Sequence, residues 1–460
     1  MKKERIVIIG AGVAGINAAT ELVDNGYPGE LITIIDKGKD PYNRKPEEVM
    51  IGMLGSGGFS DGKLTYHTSI GGQLAKYCGE VEAYQLMDKV INNFKRFHPN
   101  PESIMFSNPQ EEPDFIKPYF NLRLFPVYHI GSNNLHEIGK RWYDYLLNKG
   151  INFLWRAEVL SIDFEFNQAE YYQTNTLLSN GRLGGIQDII KYDKLFLFLG
   201  KSGIDFAQKL IKKYNLPTEP KSVQIGVRYE APQKYFQKLV DIAYDFKLYQ
   251  RKDNVSLRSF CTNCFAAFVA VEETYGDISY NGHSLKDDSR ITGMVNFGIL
   301  MEIKGIENPF EWSREIVKKV QKKYDINPPE SSQNISQAGL FYSPKELDLT
   351  SLTSEGVPVR AYKINSLEPF KEAYGKYADY IIEFCDDLNK VFKIGDDWKI
   401  YIPEVKYLSP EPKVNYNNLS LIQYPNVFLG GDILSGRGIS VSGAQGIYCT
   451  KHIINENGYI

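Results

Sequence analysis

Residues 5–15 read RIVIIGAGVAG, a short apolar run followed by three glycines. The run is rich in β-branched residues and predicts a buried strand over 5–9. Apolar residues then recur at helical spacing and predict a helix over 13–25. A second apolar run, 31–36, ends in Asp36. Strand, helix and strand in this order predict a βαβ unit.

The three glycines fit the pattern G-x-G-x-x-G between that strand and that helix. Gly10 permits a tight turn, Gly12 lets a pyrophosphate approach the backbone, and Gly15 lets the helix lie close to the strand. The first helical residues, Val13 and Ala14, present N–H groups without partners inside the helix, and the helix dipole favours an anion there. The turn therefore predicts a phosphate site.

An acidic residue follows the turn at the distance that dinucleotide sites use. Asp36 lies 36 − 15 = 21 positions beyond Gly15, close to the spacing of about 20 at which a carboxylate binds ribose hydroxyls. We expect Asp36, with Lys37 beside it, to hold the ribose. Strand, helix and acid together favour a dinucleotide site over a helix that merely begins after a glycine turn.

The other end of the chain repeats the strand-to-helix pattern and favours FAD over NAD. Residues 427–432 read VFLGGD, and residues 435–439 read SGRGI ahead of a predicted helix. We expect Gly431 and Asp432 to contact the polyol chain of FAD. The helix that begins near Gly438 and Ile439 would direct N–H groups at the pyrimidine edge of the flavin ring. An ordinary buried strand and helix is the alternative.

Charge and hydropathy exclude several classes of protein. The chain has 53 Lys and Arg against 56 Asp and Glu, a formal net charge of -3, so nothing favours nucleic-acid binding through counterion release. No apolar run reaches about 18 residues, so no membrane span is expected. The cysteines number 5, an odd and low count that suits a reducing compartment, and we expect a cytoplasmic protein.

The length of 460 residues is too great for one hydrophobic core. The nucleotide-binding pattern lies at both ends, which predicts an α/β fold with a discontinuous Rossmann-type FAD-binding domain and an inserted mixed α+β substrate domain. The predicted FAD-binding segments are 1–75, 126–205 and 401–460, a helical insertion occupies 76–125, and the substrate domain spans 206–400. Helices are predicted over 135–149, 309–325 and 366–391, and a strand over 153–162.

Seven further motifs are spread along most of the chain. They are 55–64 (GSGGFSDGKL), 129–135 (HIGSNNL), 200–203 (GKSG), 225–230 (IGVRYE), 258–261 (RSFC), 281–284 (NGHS) and 403–406 (PEVK). Together with the two ends, they resemble a family of largely uncharacterised bacterial FAD-dependent dehydrogenases within the glutathione-reductase-like FAD superfamily. The resemblance implies bound FAD and a redox role, and it names no substrate.

The resemblance also implies particular cofactor contacts. Residues 55–64 correspond to a flavin-facing loop, whose glycines let the backbone approach a flat ring closely. Val159 matches a valine whose backbone contacts the adenine, and Arg44 resembles an arginine near the adenosine. The remaining expected contacts are the loop residues and the residue after the strand that ends at 199: Gly57, Gly58, Ser60, Gly62, Lys63, Leu64 and Gly200.

Three residues are candidates for the chemistry. Arg437, between two glycines, is expected at the flavin edge, where it stabilises an anionic reduced ring or binds a substrate carboxylate; an arginine that caps a strand is the alternative. His283 follows an Asn-Gly turn and is either a proton donor or acceptor or an ordinary turn histidine. Lys63 contacts the cofactor or pairs with Asp61.

Two strands carry charges at alternate positions. Arg228 and Glu230 lie in one, and Glu404 and Lys406 lie in the other. Alternate residues of a strand share a face. Each pair is therefore expected either to line a substrate cavity or to form an ion pair.

Cys261 and Cys264 admit two interpretations. A redox-active pair beside a flavin would make the protein a disulfide reductase, but such pairs usually lie at a helix N-terminus near the first βαβ unit. Two buried or cavity-lining cysteines are the alternative. No further ligands lie at suitable spacing for zinc, so no metal is expected.

The expected activity is dehydrogenation, oxidation or reduction of a small organic molecule by hydride transfer to or from flavin N5. Oxygen or NAD(P)H is the expected redox partner. A flavin monooxygenase is one alternative, although Gly200-Lys201 stands where such enzymes commonly carry Asp-Gly. A non-catalytic or RNA-modification-related flavin-binding protein is the other.

Overall fold

The structure of the protein, a computed structural model, describes residues 4–45, 48–109, 112–177, 183–274, 276–285, 292–322, 339–345, 353–354, 357–358 and 361–456. Its helices are α1 (Val13–Asp24), α2 (Leu74–Cys78), α3 (Glu80–Phe97), α4 (Leu135–Asn148), α5 (Ile204–Lys213), α6 (Gln233–Val240), α7 (Pro309–Lys322), α8 (Glu368–Tyr374), α9 (Lys376–Phe392) and α10 (Ile439–Glu456).

The strands are β1 (Ile6–Ile9), β2 (Ile32–Asp36), β3 (Lys63–Thr65), β4 (Met105–Ser107), β5 (Asn121–Leu124), β6 (Val127–His129), β7 (Asn152–Trp155), β8 (Ala157–Asp163), β9 (Gln168–Leu177), β10 (Leu183–Lys191), β11 (Lys194–Leu197), β12 (Thr218–Glu219), β13 (Val223–Pro232), β14 (Phe246–Lys252), β15 (Val255–Asn263), β16 (Ala266–Thr274), β17 (Asp277–Leu285), β18 (Met294–Ile303), β19 (Gly339–Tyr342), β20 (Thr353–Ser354), β21 (Val357–Pro358), β22 (Ala361–Ile364), β23 (Lys399–Lys406), β24 (Glu411–Pro412) and β25 (Val427–Leu429).

The two ends of the chain meet in one parallel sheet. Its strand order is β25-β11-β1-β2-β7, and every neighbouring pair is parallel. Parallel strands end at the same edge, so the residues after β1, β2, β11 and β25 lie together. The helices that follow β1 and β25 also touch: a Cβ added at Gly446 of α10 would lie 2.1 Å from the carbonyl oxygen of Ala14 in α1.

The second large unit is a sheet of ten strands. Its order is β22-β19-β23-β13-β18-β15-β14-β5, with β16 and β17 joined beside β18. One face carries apolar side chains such as Ile225, Val227 and Ile299, which are buried in one core with residues of α6 to α9. The other face carries polar and charged side chains that line a cavity. Alternation along each strand therefore separates a core face from a cavity face.

The structure confirms the βαβ unit, the helix at Leu135–Asn148 and the helix beginning at Pro309; residues 323–325 of the last prediction lie outside the described residues. Two predicted elements are interrupted. The strand predicted over 153–162 is divided at Arg156, whose φ is 55°, and the helix predicted over 366–391 is divided at Gly375, whose φ is 57°. Left-handed backbone at one residue ends each regular element, which hydrophobic spacing does not reveal.

Three segments pair or pack across the predicted divisions. Asn121–Leu124, within the predicted helical insertion, pairs with β14. Lys399–Lys406 pairs with β13 of the ten-stranded sheet, whereas helix Ile204–Lys213 packs through Ala207 and Leu210 on the core of the parallel sheet. Among the described residues, no helix combines the length and apolarity that crossing a bilayer requires.

Candidate functional site

The glycine turn after β1 leaves one open face. Gly10 adopts φ 107°, and a Cβ there would lie 2.3 Å from the carbonyl oxygen of Phe198; a Cβ on Gly15 would lie 2.1 Å from that of Gly10. Both positions need glycine for close packing. Gly12 differs: it caps α1 with φ -69°, and a Cβ there would meet nothing within 4 Å. The open face of Gly12 and the N-terminus of α1 line a cavity.

Asp36 organises this turn. Its Oδ2 accepts a hydrogen bond from the N–H of Ala11 at 2.9 Å, and its Oδ1 accepts from Gly38 and Gly52 at 2.7 and 2.8 Å. A carboxylate has about four acceptor sites, so three are used by the backbone and one is left. Asp36 thus fixes the glycine turn and keeps one acceptor site, and it lines the cavity.

The turn between β25 and α10 faces the same cavity. Gly431 and Gly438 have φ of 74° and 107°, and the N–H of Gly431 donates to Gln445 Oε1 at 2.9 Å. Asp432 Oδ1 lies 3.1 Å from Arg437 Nε. Gly12 and Asp432 therefore line one cavity, although they stand at opposite ends of the chain.

That cavity has a volume of about 1390 Å³, more than the roughly 300–1,000 Å³ of most ligand sites. Both sheets contribute to its walls. The predicted residues that line it are Gly10, Gly12, Val13, Ala14, Asp36, Lys37, Gly57, Ser60, Lys63, Val159, Gly200, Gly431, Asp432, Arg437, Gly438 and Ile439. Gly15, Arg44, Gly58, Gly62, Leu64 and His283 are not among its lining residues.

Arg44 is buried behind the cavity wall. Its guanidinium donates to the backbone carbonyls of Glu48, Val49, Met53 and Gly55. Burial lowers its pKa to about 10. Its interactions with backbone carbonyls fix the segment that leads into the loop at 55–64, and this is a positioning role rather than a contact with the cavity.

Lys63, in the three-stranded sheet β3-β6-β4, is linked to the ten-stranded sheet through buried charges. Its Nζ lies 2.9 Å from Asp61 Oδ2 and 3.1 Å from Asp245 Oδ2, and it also donates to the carbonyl of Thr262. Burial alone would lower the pKa of Lys63, but the two carboxylates outweigh burial and raise it well above its usual value. Lys63 therefore stays protonated and does not serve as a base.

Arg437 is held by its own loop. Besides its ion pair with Asp432, its Nη2 donates to the carbonyl of Tyr407. It lines the cavity next to Gly436 and Gly438. Its ion pair with Asp432 and its hydrogen bond to Tyr407 fix the position of its guanidinium at the cavity wall.

His283 lies in β17 and stacks on Phe268, with ring centroids 5.3 Å apart. Burial lowers its pKa from 6.5, so the neutral imidazole predominates at neutral pH. The placement is that of a strand histidine packed against an aromatic ring, rather than the turn residue that the Asn-Gly pair suggested.

All five cysteines lie in described segments, and none forms a disulfide. Cys261 donates from its thiol to Asp61 Oδ2 at 3.0 Å. Burial, together with Asp61, raises the pKa of Cys261 to about 12, and burial raises that of Cys264 to about 12. Reactive thiolates need a lowered pKa, so this environment does not suit a redox-active pair.

The cavity face of the ten-stranded sheet carries a buried arginine. Arg228 Nε donates to Asn296 Oδ1 at 3.0 Å and Nη2 donates to the carbonyl of Cys261 at 2.8 Å. Its Nη1 lies 3.5 Å from Glu404 Oε1. Neither Arg228 Nη1 nor Glu404 Oε2 has a hydrogen-bond partner among the described residues. Both atoms are buried, so this pair leaves unused hydrogen-bonding capacity behind the cavity wall that Glu404 lines.

Glu404 differs from Asp61 and Glu272, two cavity-lining carboxylates whose pKa is lowered by neighbouring lysines. Burial raises its pKa to about 7; Arg228 opposes this and Glu272 adds to it, while Lys406 and Lys201 act with Arg228. The carboxyl group therefore exchanges a proton near neutral pH. The sequence placed Glu404 on a charged strand face, but only the fold shows the unpaired oxygen.

Comparisons with known proteins assign no family. No protein-family model matches the sequence, and no curated protein matches it. Among solved structures, a flavoprotein/dehydrogenase from Cytophaga hutchinsonii aligns at 10% identity over 98% of this chain and 78% of that one, with a TM-score of 0.40. A glycine oxidase from Bacillus cereus ATCC 14579 aligns at 12% identity, 99% and 95% coverage and a TM-score of 0.39. CmlS, described as a flavin-dependent halogenase, aligns at 11% identity, 100% and 60% coverage and a TM-score of 0.38. These values are too low to assign a function to the chain.

Proposed function

We propose that the chain is an FAD-dependent oxidoreductase that acts on a small organic molecule. The observation that carries the proposal is the convergence of the N-termini of α1 and α10 on one cavity, with the open face of Gly12 beside the first. Helix N-termini favour negative charge. One would hold the cofactor's pyrophosphate, and the other would face the flavin edge that becomes negative on reduction.

The same proposal divides the chain as follows. The segments around the parallel sheet form a discontinuous Rossmann-type FAD-binding domain, and the ten-stranded sheet forms the inserted substrate domain. Asp36 holds the ribose with its remaining acceptor site, Val159 supports the adenine, and Asp432 contacts the polyol. The glycines of the loop at 55–64 allow the ring to lie against the backbone.

When bound, FAD supplies hydride transfer to or from its N5 atom. The chain supplies position, charge and a proton site. Glu404 lines the cavity, and its buried Oε2 has no hydrogen-bond partner among the described residues. Its carboxyl group is therefore the proposed acceptor or donor of the proton that accompanies hydride transfer. Lys63 and Arg437 line the cavity as members of ion pairs. His283 does not line the cavity and is a weaker candidate for proton transfer.

The proposed redox partner is oxygen or NAD(P)H, and the proposed location is the cytoplasm. The thiol environment of Cys261 and Cys264 favours this function over a disulfide reductase. Incorporation of labelled oxygen into product would assign the activity to a monooxygenase instead.

The test is direct. Purified protein is expected to be yellow, to release FAD on denaturation at a ratio close to one per chain, and to show bleaching of the flavin band when its substrate is added without oxygen. Mass spectrometry of the released cofactor distinguishes FAD from FMN. A colourless protein that takes up no FAD on reconstitution would refute the proposal.

A further inference from the structure

The cavity wall formed by the ten-stranded sheet carries a second cluster of charges. Lys247 of β14, Arg258 of β15 and Lys406 of β23 all line the cavity; we call these three residues the cation cluster. Gln224 of β13 pairs with Lys406 in the sheet register and accepts a hydrogen bond at 3.2 Å from Arg258 Nη2. The fold thus brings together residues that lie up to 159 positions apart, since 406 − 247 = 159.

The cluster lacks matching negative charge within the described part of the chain. Lys406 and Arg258 form no ion pair within 4.0 Å there, and the nearest carboxylate oxygen to Lys247 is Asp245 Oδ1 at 3.9 Å. Asp245 is itself engaged at 3.1 Å by Lys63. Buried or half-buried cations are normally paired with anions. Three cations on one cavity wall therefore lack the negative charge that would balance them.

Mutual repulsion among these cations helps to lower the pKa of both lysines. Burial lowers the pKa of Lys406 well below its usual value, and Arg258, Arg437 and Lys247 lower it further. Burial also lowers the pKa of Lys247, with Lys63 and Arg258 adding to the effect and Asp245 opposing it. An anion placed among them would relieve this repulsion and raise the pKa of both lysines.

The surroundings of the cluster limit the kind of anion. Phe260 lies beneath Lys406, whose Nζ is 4.0 Å from the ring centroid, and it presents an aromatic surface to the same cavity. Asp245 offsets part of the charge at Lys247, so the anion need not carry one negative charge for each cation. Arg258 can bind a planar two-oxygen group with two parallel hydrogen bonds.

We infer that the cation cluster binds the carboxylate of a small organic acid, which makes organic acids the substrate class of the enzyme. This inference rests on the proposed function. Carboxylate binding at the cluster would place the rest of the acid over Phe260 and within the cavity that Glu404 also lines. The cluster then holds the charged end of the substrate, while the carboxyl group of Glu404 exchanges a proton at its reacting end.

Calorimetry on the purified full-length protein tests the inference with acetate, pyruvate and benzoate, each compared with its neutral amide. We expect at least one acid to bind more than tenfold more tightly than its amide. Lys406→Met and Arg258→Met should each weaken that binding at least tenfold. Arg251→Met, at an exposed position of the neighbouring strand β14, is the matched control and should leave binding unchanged.

Three results would overturn the inference: no acid binding more tightly than its amide, unchanged binding in both cluster variants, or phenyl phosphate binding more tightly than every acid. A changed flavin reduction potential in the variants, with acid binding unchanged, would assign the cluster to the cofactor and likewise overturn it. FAD content, measured on the same preparation, separates the two hypotheses: a flavin-free protein refutes the proposed function, whereas loss of selective acid binding in a yellow protein refutes only this inference.

Discussion

Replacing Gly12 with alanine separates an effect on the proposed cofactor site from an effect on the stability of the fold. The added Cβ would meet no protein atom within 4 Å, and φ of -69° is open to any residue. Alanine is a poorer helix cap than glycine, but it restricts the unfolded chain more. These opposing effects leave the free energy of unfolding within about 1 kcal/mol of wild type.

The same methyl group would project into the cavity, where we propose that the pyrophosphate lies against the backbone. Overpacking by one methyl group costs about 1–3 kcal/mol, and each 1.4 kcal/mol corresponds to about tenfold in affinity. Gly12→Ala should therefore weaken FAD binding roughly ten- to hundredfold. Titration of flavin-stripped protein by calorimetry or by quenching of FAD fluorescence measures this value, and urea denaturation measures stability.

Gly15→Ala gives the contrasting result. Its Cβ would lie 2.1 Å from the carbonyl oxygen of Gly10, so this variant should lose stability even without cofactor. Wild-type FAD affinity in a folded Gly12→Ala protein would refute the placement of the pyrophosphate. Equal destabilisation of the two variants would show that the space beside Gly12 does not exist.

Lys63→Met leaves two buried carboxylates without their cation and should reduce the free energy of unfolding, measured in urea, by about 3–5 kcal/mol. Lys117→Met removes an exposed ion pair and should leave the free energy of unfolding unchanged. An equal loss of stability in the two variants would contradict the buried network. Because the folded pKa of Glu404 is about 7 and its ordinary value is lower, its contribution to stability is full below about pH 4.5 and is lost as pH rises to 7, a change of up to about 3 kcal/mol. Glu404→Gln should remove that slope, and a profile parallel to wild type would count against the raised pKa. Cys261, with a pKa of about 12, should react with iodoacetamide at pH 8 at least tenfold more slowly than free cysteine; rapid labelling seen by mass spectrometry would contradict its burial.

The local parts of the site were predictable from sequence because their causes are local. The glycine turn, the strand before it and the helix after it follow from residue types within 20 positions of one another. The same holds for the turn at the end of β25. The placement of Gly12 and Asp432 on one cavity was also predicted, because parallel strands that are followed by helices expose their carboxyl ends together.

The charged part of the site was not predictable in the same way. Lys63 meets Asp245 across 182 positions, and nothing near either residue indicates the other. The cation cluster depends on sheet register, which decides that Gln224 stands beside Lys406; a shift of one residue would turn these side chains to the opposite face. Sequence patterns reveal which residues share a strand face, but not which face a neighbouring strand presents.

The resemblance placed Arg44 near the cofactor, and the structure shows its guanidinium bonded to loop carbonyls instead. An arginine close to a nucleotide loop in sequence can either touch the ligand or support the loop. Burial and the number of backbone partners distinguish these roles, and both require three-dimensional coordinates. His283 illustrates the same point, because an Asn-Gly pair inside β17 is part of a strand rather than a turn.

The contact between Ala14 and Gly446 has a consequence for biosynthesis. A ribosome makes α1 more than 400 residues before α10, and at about 5–20 residues per second the interval is on the order of 20–80 seconds. During that time the surface of α1 that later packs against Gly446 is exposed to solvent. The edge of β11 that later pairs with β25 is also unpaired. The nascent protein therefore carries an incomplete parallel sheet through most of its translation, and chaperones that protect apolar helix surfaces should bind it in that interval.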